Sequence, residues 1–137
     1  MRVCVIDGQG GGLGSRLIAG LQADLRQGDE LIGLATNHIA AEAMSQAGAK
    51  SIAIGPEAIT DTVRTADIIV TSLNVLLTYS HPAEVTTRMI QSILESRGTK
   101  IVLPINRFGM EVAGTQSSKL EQLISNSLFR VRTVLHS

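Results

Sequence analysis

Asp7-Gly8-Gln9-Gly10-Gly11-Gly12-Leu13-Gly14 is the stretch of this chain best suited to chemistry, and that chemistry is anion binding. It stands between the apolar run of residues 3–6 and an amphipathic stretch over residues 13–25, so the spacing predicts a strand-to-helix turn. Five glycines in seven positions leave a backbone nearly bare of Cβ atoms, against which a bulky anion can lie on exposed N–H groups. The helix dipole at such a turn also favours negative charge. The expected ligand is a phosphate-bearing nucleotide or dinucleotide held by Gly8, Gln9, Gly10, Gly11, Gly12, Leu13 and Gly14. The competing reading is a tight crossover that binds nothing, although a plain turn rarely needs so many glycines, each costly to order. A P-loop is not expected, because no Gly-Lys-Ser/Thr follows. A carboxylate aimed at a pyrophosphate would repel it, so Asp7 is expected to accept hydrogen bonds from the loop's N–H groups rather than to act in catalysis or metal binding. Arg16, in the first turn of the following helix, is either an anion contact or a solvated arginine.

Three later stretches carry side chains that such a ligand can use. The second apolar run ends Leu34-Ala35-Thr36-Asn37-His38, where NAD sites usually carry an acid for the ribose hydroxyls. Thr36 and Asn37 can hydrogen-bond an adenosine ribose and would not repel a 2′-phosphate. NADP is therefore preferred to NAD, with other phosphorylated ligands left open. His38 reads as a surface or capping residue rather than a phosphate ligand. Residues 72–81, Ser-Leu-Asn-Val-Leu-Leu-Thr-Tyr-Ser-His, are apolar for a loop and suit either a pocket wall for an adenine or nicotinamide ring or a dimer contact. After the fifth run, Asn106 is expected at the cofactor, while Arg107 and Glu111 can complete a polar site with Glu111 as a base. Loop hydrogen bonding and solvated charge are the alternative there. No metal site is expected: His38 and His81 lie far apart, and one cysteine cannot build one. That cysteine, Cys4, sits inside the first apolar run and reads as a small buried hydrophobe.

The elements that must position these residues follow from periodicity. Strand-length apolar runs recur at residues 3–6, 31–34, 51–54, 68–71 and 100–103. Between them, Leu13, Leu17, Ile18, Leu21 and Leu25 share a helical face closed by Gly28, and residues 39–47 form a second helix closed by Gly48. Two helices are expected to open at prolines, Pro56 (running to about Ala66) and Pro82, the latter carrying Val85, Met89, Ile90, Ile93 and Leu94 toward Gly98. Ser118-x-x-Glu121 reads as a capping box for the last helix. Five βα units in series predict a Rossmann-like three-layer α/β/α fold, a mainly parallel five-stranded sheet of order 3-2-1-4-5. Residues 108–112 alternate and suit a short extra strand.

The 137 residues show no composition break, repeat or linker and are expected to form one nucleotide-binding domain over 1–137. Aromatic residues make up only 2%, so the core must be Val, Ile, Leu and Ala. Twelve basic residues balance twelve acidic ones without clustering, which disfavours a nucleic-acid partner. The start runs straight into a strand-like segment with no signal-peptide pattern or spanning apolar stretch, so no membrane partner and a cytoplasmic location are expected. The low charged fraction and the apolar loop after the fourth run predict a homodimer.

Gly8-x-x-x-Gly12-x-Gly14 resembles the fingerprint of short-chain dehydrogenases and reductases, with Asp7 where that family has Thr and Leu13 between the last two glycines. The resemblance implies a tight turn at Gly8, pyrophosphate approach at Gly12 and helix-on-sheet packing at Gly14. It does not extend to that family's Tyr-x-x-x-Lys pair, since Ala83 follows Tyr79 at the lysine position. Nearly the whole chain is similar to a small bacterial family of Rossmann-like proteins classed as a domain of unknown function. The matching stretches are residues 5–12, Thr36-Asn37 with Ile39-Ala40, residues 66–69, and Leu103-Pro104 with Asn106. That resemblance implies a Rossmann-like fold and a cytoplasmic setting, with no activity attached. The leading functional expectation is a nucleotide-binding module, a sensor or assembly subunit. One alternative is a small oxidoreductase or other enzyme whose site is completed across a homo-oligomer interface by residues 73–79 or 106–111. The other is an interaction subunit without ligand.

Overall fold

A computed structural model describes residues 1–77, 83–106 and 109–137. Its five strands are β1 (Arg2–Asp7), β2 (Glu30–Ala35), β3 (Ser51–Ile54), β4 (Ile68–Ser72) and β5 (Thr99–Leu103). They form one parallel sheet in the order β3-β2-β1-β4-β5, as the serial βα pattern requires. The helices are α1 (Gly12–Leu21), α2 (His38–Gln46), α3 (Pro56–Thr62), α4 (Thr87–Glu95) and α5 (Leu120–Leu135).

Alternation along β1 divides the core. Val3 and Val5 face one way and pack with Leu17, Ile18 and Leu21 of α1, Met44 of α2, and Ile124 and Val131 of α5. Cys4 and Ile6 face the other way, against Ile59 of α3 and Met89 and Ile93 of α4. Cys4 is fully buried, and desolvation pushes its thiol up to about 12, so it is a core atom group and not a nucleophile at neutral pH.

Element ends depart from the periodic expectation for local reasons. α1 stops at Leu21, runs on as a 3-10 turn over Gln22–Asp24, and Leu25 is already extended. Gly28 thus belongs to the turn before β2, where the Asp29 N–H donates to the Arg26 carbonyl, and does not close α1. Gly48, at φ 114°, does close α2, with Gly48 and Ala49 N–H groups donating back to Ser45 and Met44. α3 ends at Thr62 and a 3-10 turn carries the chain to Thr65.

α4 begins at Thr87 with Thr86 as its cap, the Thr86 hydroxyl accepting from the Met89 N–H at 3.1 Å, and not at Pro82, which lies outside the described residues. The expected capping box is not formed: Lys119 holds the cap position, and Glu121 turns across to Arg16 instead. Residues 109–112 are irregular and exposed, so the proposed extra strand does not form there, and Phe108 lies outside the described residues. Among the described residues no helix is long and apolar enough to cross a membrane.

Candidate functional site

The glycine loop leaves β1 at the carboxyl edge of the sheet, where open parallel sheets hold their ligands. Its shape is set by Asp7. One carboxylate oxygen accepts the Gly8 N–H at 2.8 Å and the other accepts the Gly14 N–H at 2.6 Å, so the buried side chain ties the strand end to the first turn of α1. The carboxylate therefore plays the scaffolding role expected of it. The Gly11 N–H closes the turn onto the Gly8 carbonyl at 2.9 Å.

The loop's left-handed residues are Gln9, at φ 49°, and Gly11, at φ 72°. At Gly11 an added Cβ would stand 2.8 Å from the Ala40 backbone, a double restriction that glycine counting alone does not reveal. At Gly8 it would strike the Thr36 hydroxyl at 2.5 Å, and at Gly14 it would meet Asp7 Cβ at 2.8 Å and Met44 Sδ at 2.9 Å. Gly10 and Gly12 face open space.

That space is a cavity of about 430 Å³. Asp7, residues 8–13 and Arg16 line one side, with Ser72 and Asn74 after β4, Ile105 after β5, and Leu120 and Ile124 of α5 completing it. The backbone N–H groups of Gly10, Gly12 and Leu13 have no acceptor among the described residues. Two of them open α1, where the helix leaves its first N–H groups unpaired. The cavity thus combines polar N–H donors with the apolar side chains of Leu13, Ile105, Leu120 and Ile124. Arg16 stands at its rim, paired with Glu121.

Other expected site residues lie apart from this cavity. The Thr36 hydroxyl and Asn37 amide both donate to one carboxylate oxygen of Glu84, at 2.7 and 3.0 Å, while Asn37 Oδ1 caps α2 by accepting the Ala40 N–H at 2.8 Å. His38 is exposed at the first position of α2. Glu84 comes from the β4–α4 connection and places an acid at the end of β2, where the local sequence offers none. The argument for NADP over NAD rested on that missing acid and loses its premise.

Asn106 folds back on its own loop, donating to the Met110 carbonyl at 2.9 Å and accepting the Met110 N–H at 3.3 Å. Glu111 is exposed on an irregular segment, and Arg107, Tyr79 and His81 lie outside the described residues. In the apolar loop after β4, Val75 is buried and Leu76 packs beside it against the α3–α4 side of the core, so these two serve the interior, not a pocket wall or a dimer contact. Leu73 and Asn74 instead extend the sheet edge, their N–H groups donating to the Leu103 and Ile105 carbonyls.

Comparison with known proteins places this geometry in context. A model of the family described as "Domain of unknown function (DUF3842)" matches residues 2–136. The chain is similar in fold to the crystal structure of a dodecameric FMN-dependent UbiX-like decarboxylase from Escherichia coli O157:H7. That match has a TM-score of 0.61 at 12% identity and covers 100% of this chain and 95% of the other. No curated protein matches significantly.

Proposed function

The chain belongs to the DUF3842 family, and on that footing we propose that it binds a mononucleotide at the glycine loop, with FMN the leading candidate. The observation that carries this reading is the set of three N–H groups of Gly10, Gly12 and Leu13, without acceptors among the described residues, facing a cavity of about 430 Å³. Small-molecule sites typically enclose roughly 300–1,000 Å³. A phosphate fits the N–H donors, and Leu13, Ile105, Leu120 and Ile124 give a flat ring an apolar surface. Ser72 and Asn74 also line the cavity and offer polar groups to ring edges.

A mononucleotide is favoured over NADP or NAD by where the cavity runs. Its lining comes from the glycine loop and the start of α1, from Ser72 and Asn74 at and after the end of β4, from Ile105 after β5 and from α5. None of it comes from Thr36 or Asn37, whose side-chain donors are taken up by Glu84. The dinucleotide's second ribose would need that occupied ground. FMN is named because the fold neighbour is described as FMN-dependent, and that neighbour's dodecameric state supports an assembly of copies here. In this reading residues 1–137 act as one nucleotide-binding unit. The proposal is for binding: Asp7, the one carboxylate among the cavity's described lining residues, is committed to the Gly8 and Gly14 N–H groups.

Thermal unfolding tests it, with FMN, NADP, NAD and ATP each added at millimolar concentration. FMN at a hundred times its Kd stabilises the native state by about 2.7 kcal/mol and raises Tm accordingly. Gly12→Val, whose side chain would fill the open side of the loop, should abolish that shift while leaving the ligand-free Tm nearly unchanged. A shift with none of these ligands, or one that survives Gly12→Val, overturns the assignment.

A further inference from the structure

A second cavity, remote from the glycine loop, lies between α3 and α4 and encloses about 400 Å³. It is lined by polar and charged residue types: Thr60, Arg64, Arg88, Gln91, Ser92, Glu95, Ser96 and Arg97. In a chain of zero formal net charge, three arginines and one glutamate line this cleft, +2 among its lining residues, while Glu57 and Asp61 line the adjoining cavity that shares Thr60 and Arg88. Among the described residues, the Arg64, Arg88 and Arg97 side chains make no hydrogen bond and no ion pair. The same holds for Arg26 and Arg130, whereas Arg2, Arg16 and Arg132 are paired with carboxylates, so what sets the three apart is that they line one cleft. Glu95, the cavity's only described carboxylate, is held by Gln91, whose Nε2 donates to it at 3.0 Å. The Ser92 hydroxyl donates to the Thr60 carbonyl at 2.8 Å and ties α3 to α4 across the cleft.

We propose that this α3–α4 cleft is an anion site for a small polyphosphate or multiply phosphorylated metabolite. Three arginines without carboxylate partners around one cleft offer donors to a polyanion, and guanidinium forks match phosphate oxygens. An ordinary role as helix C-terminal partners would have them donate to the last carbonyls of α3 and α4. They do not; Lys100 takes that role at α4, its ammonium donating to the Ser96 and Gly98 carbonyls. No hydrophobic or aromatic residue lines the cleft to seat a base or flavin ring, so the ligand is recognised chiefly by charge. Arg88 at the start of α4 and Arg97 just past its end stand on the order of 10 Å apart, so the charges must be spread along the molecule.

Sodium tripolyphosphate is the probe, titrated calorimetrically into the full chain at low and at physiological salt. The Arg64→Ser, Arg88→Ser, Arg97→Ser triple variant should weaken binding at least about tenfold, the effect of losing one charge-assisted pair. Arg130→Ser, an exposed arginine on α5, should leave affinity unchanged. The loss in the triple variant should persist in a Gly12→Val background, which separates this cleft from the glycine loop. Circular dichroism checks that the variants are folded, and Arg97→Ser alone, expected to weaken binding severalfold, substitutes if the triple variant is not. Failure of the wild type to bind, equal affinity in the arginine variants, or an equal loss in Arg130→Ser would each overturn the proposal. Loss through Gly12→Val alone would overturn it while leaving the nucleotide reading intact.

Discussion

Three glycines of one helix, Gly12, Gly14 and Gly20, offer the same substitution in three different surroundings. At Gly14 a new Cβ would lie 2.8 Å from Asp7 Cβ, an atom fixed to the strand backbone. Ordinary carbon contacts are about 3.5–4.0 Å, so α1 must lift from β1 by roughly 0.7 Å or more. That movement stretches the 2.6 Å bond from the Gly14 N–H to the Asp7 carboxylate. Overpacking costs about 1–3 kcal/mol and the charge-assisted bond is worth about 1.5–3, against a helix-propensity gain of up to about 1. Gly14→Ala should therefore destabilise by about 2–4 kcal/mol, lowering Tm by roughly 8–16 °C in a chain of this size. Gly20→Ala meets only the end of the Leu128 side chain, 2.7 Å away and free to rotate, and should change stability by under about 1 kcal/mol. Gly12→Ala meets nothing within 4 Å and should be close to neutral for the fold. Urea unfolding of the three variants gives the order directly. A Gly14→Ala protein as stable as Gly20→Ala would refute the view that Asp7 fixes the loop by holding α1 against β1. Additivity of Gly14→Ala with Asp7→Asn would refute it as well, because coupled residues should not add.

Two further outcomes are expected. Burial raises the Cys4 thiol to about 12 from an ordinary value near 9, so the folded state keeps a proton that the unfolded state gives up. The associated stability is whole below pH 9 and falls by about 1.4 kcal/mol per pH unit between 9 and 12. Cys4→Ala should show a flatter alkaline limb than the wild type in chemical denaturation, and parallel limbs would contradict the burial argument. Glu84→Ala should cost about 1–3 kcal/mol, since Thr36, only 5% exposed, loses the acceptor of its hydroxyl. Combining it with Thr36→Val should be distinctly less than additive in urea unfolding; full additivity would deny the contact.

The strands and their order were legible because local periodicity and serial βα units carry that information, as in the unbroken burial of Val3 to Ile6. The place of the loop was legible from its glycines, and so was the scaffolding role of Asp7, whose partners are one and seven residues away. What escaped were pairings without a local trace. Glu84 reaches Thr36 across 48 residues, and Glu121 reaches Arg16 across 105, overriding a capping pattern that looked sufficient in isolation. Thr86 likewise took the helix start from Pro82, because a hydroxyl that accepts the third N–H caps a helix wherever the backbone enters it extended. The α3–α4 arginines are dispersed over residues 64–97 and become a cluster only when the two helices pack side by side.

The cavity beside the glycine loop has one wall, Leu120 and Ile124, that arrives last along the chain. α5 carries this wall and is joined to the rest through side chains: Ile124, Val131 and Leu135 in the core, Arg16–Glu121 at its start, Leu128 over Gly20 in its middle, and Arg132–Asp24 near its end. No strand ladder continues into it, so it is an element that can open as a unit without unpairing the sheet. Both ion pairs are partly solvated and weaken as salt screens them. Opening it would uncover Ile124, Val131 and Leu135 of the core, so α5 is held by packing as well as by these pairs. Any molecule seated between the glycine loop and Leu120 would add contacts to α5, and the helix would report occupancy through increased protection from hydrogen exchange.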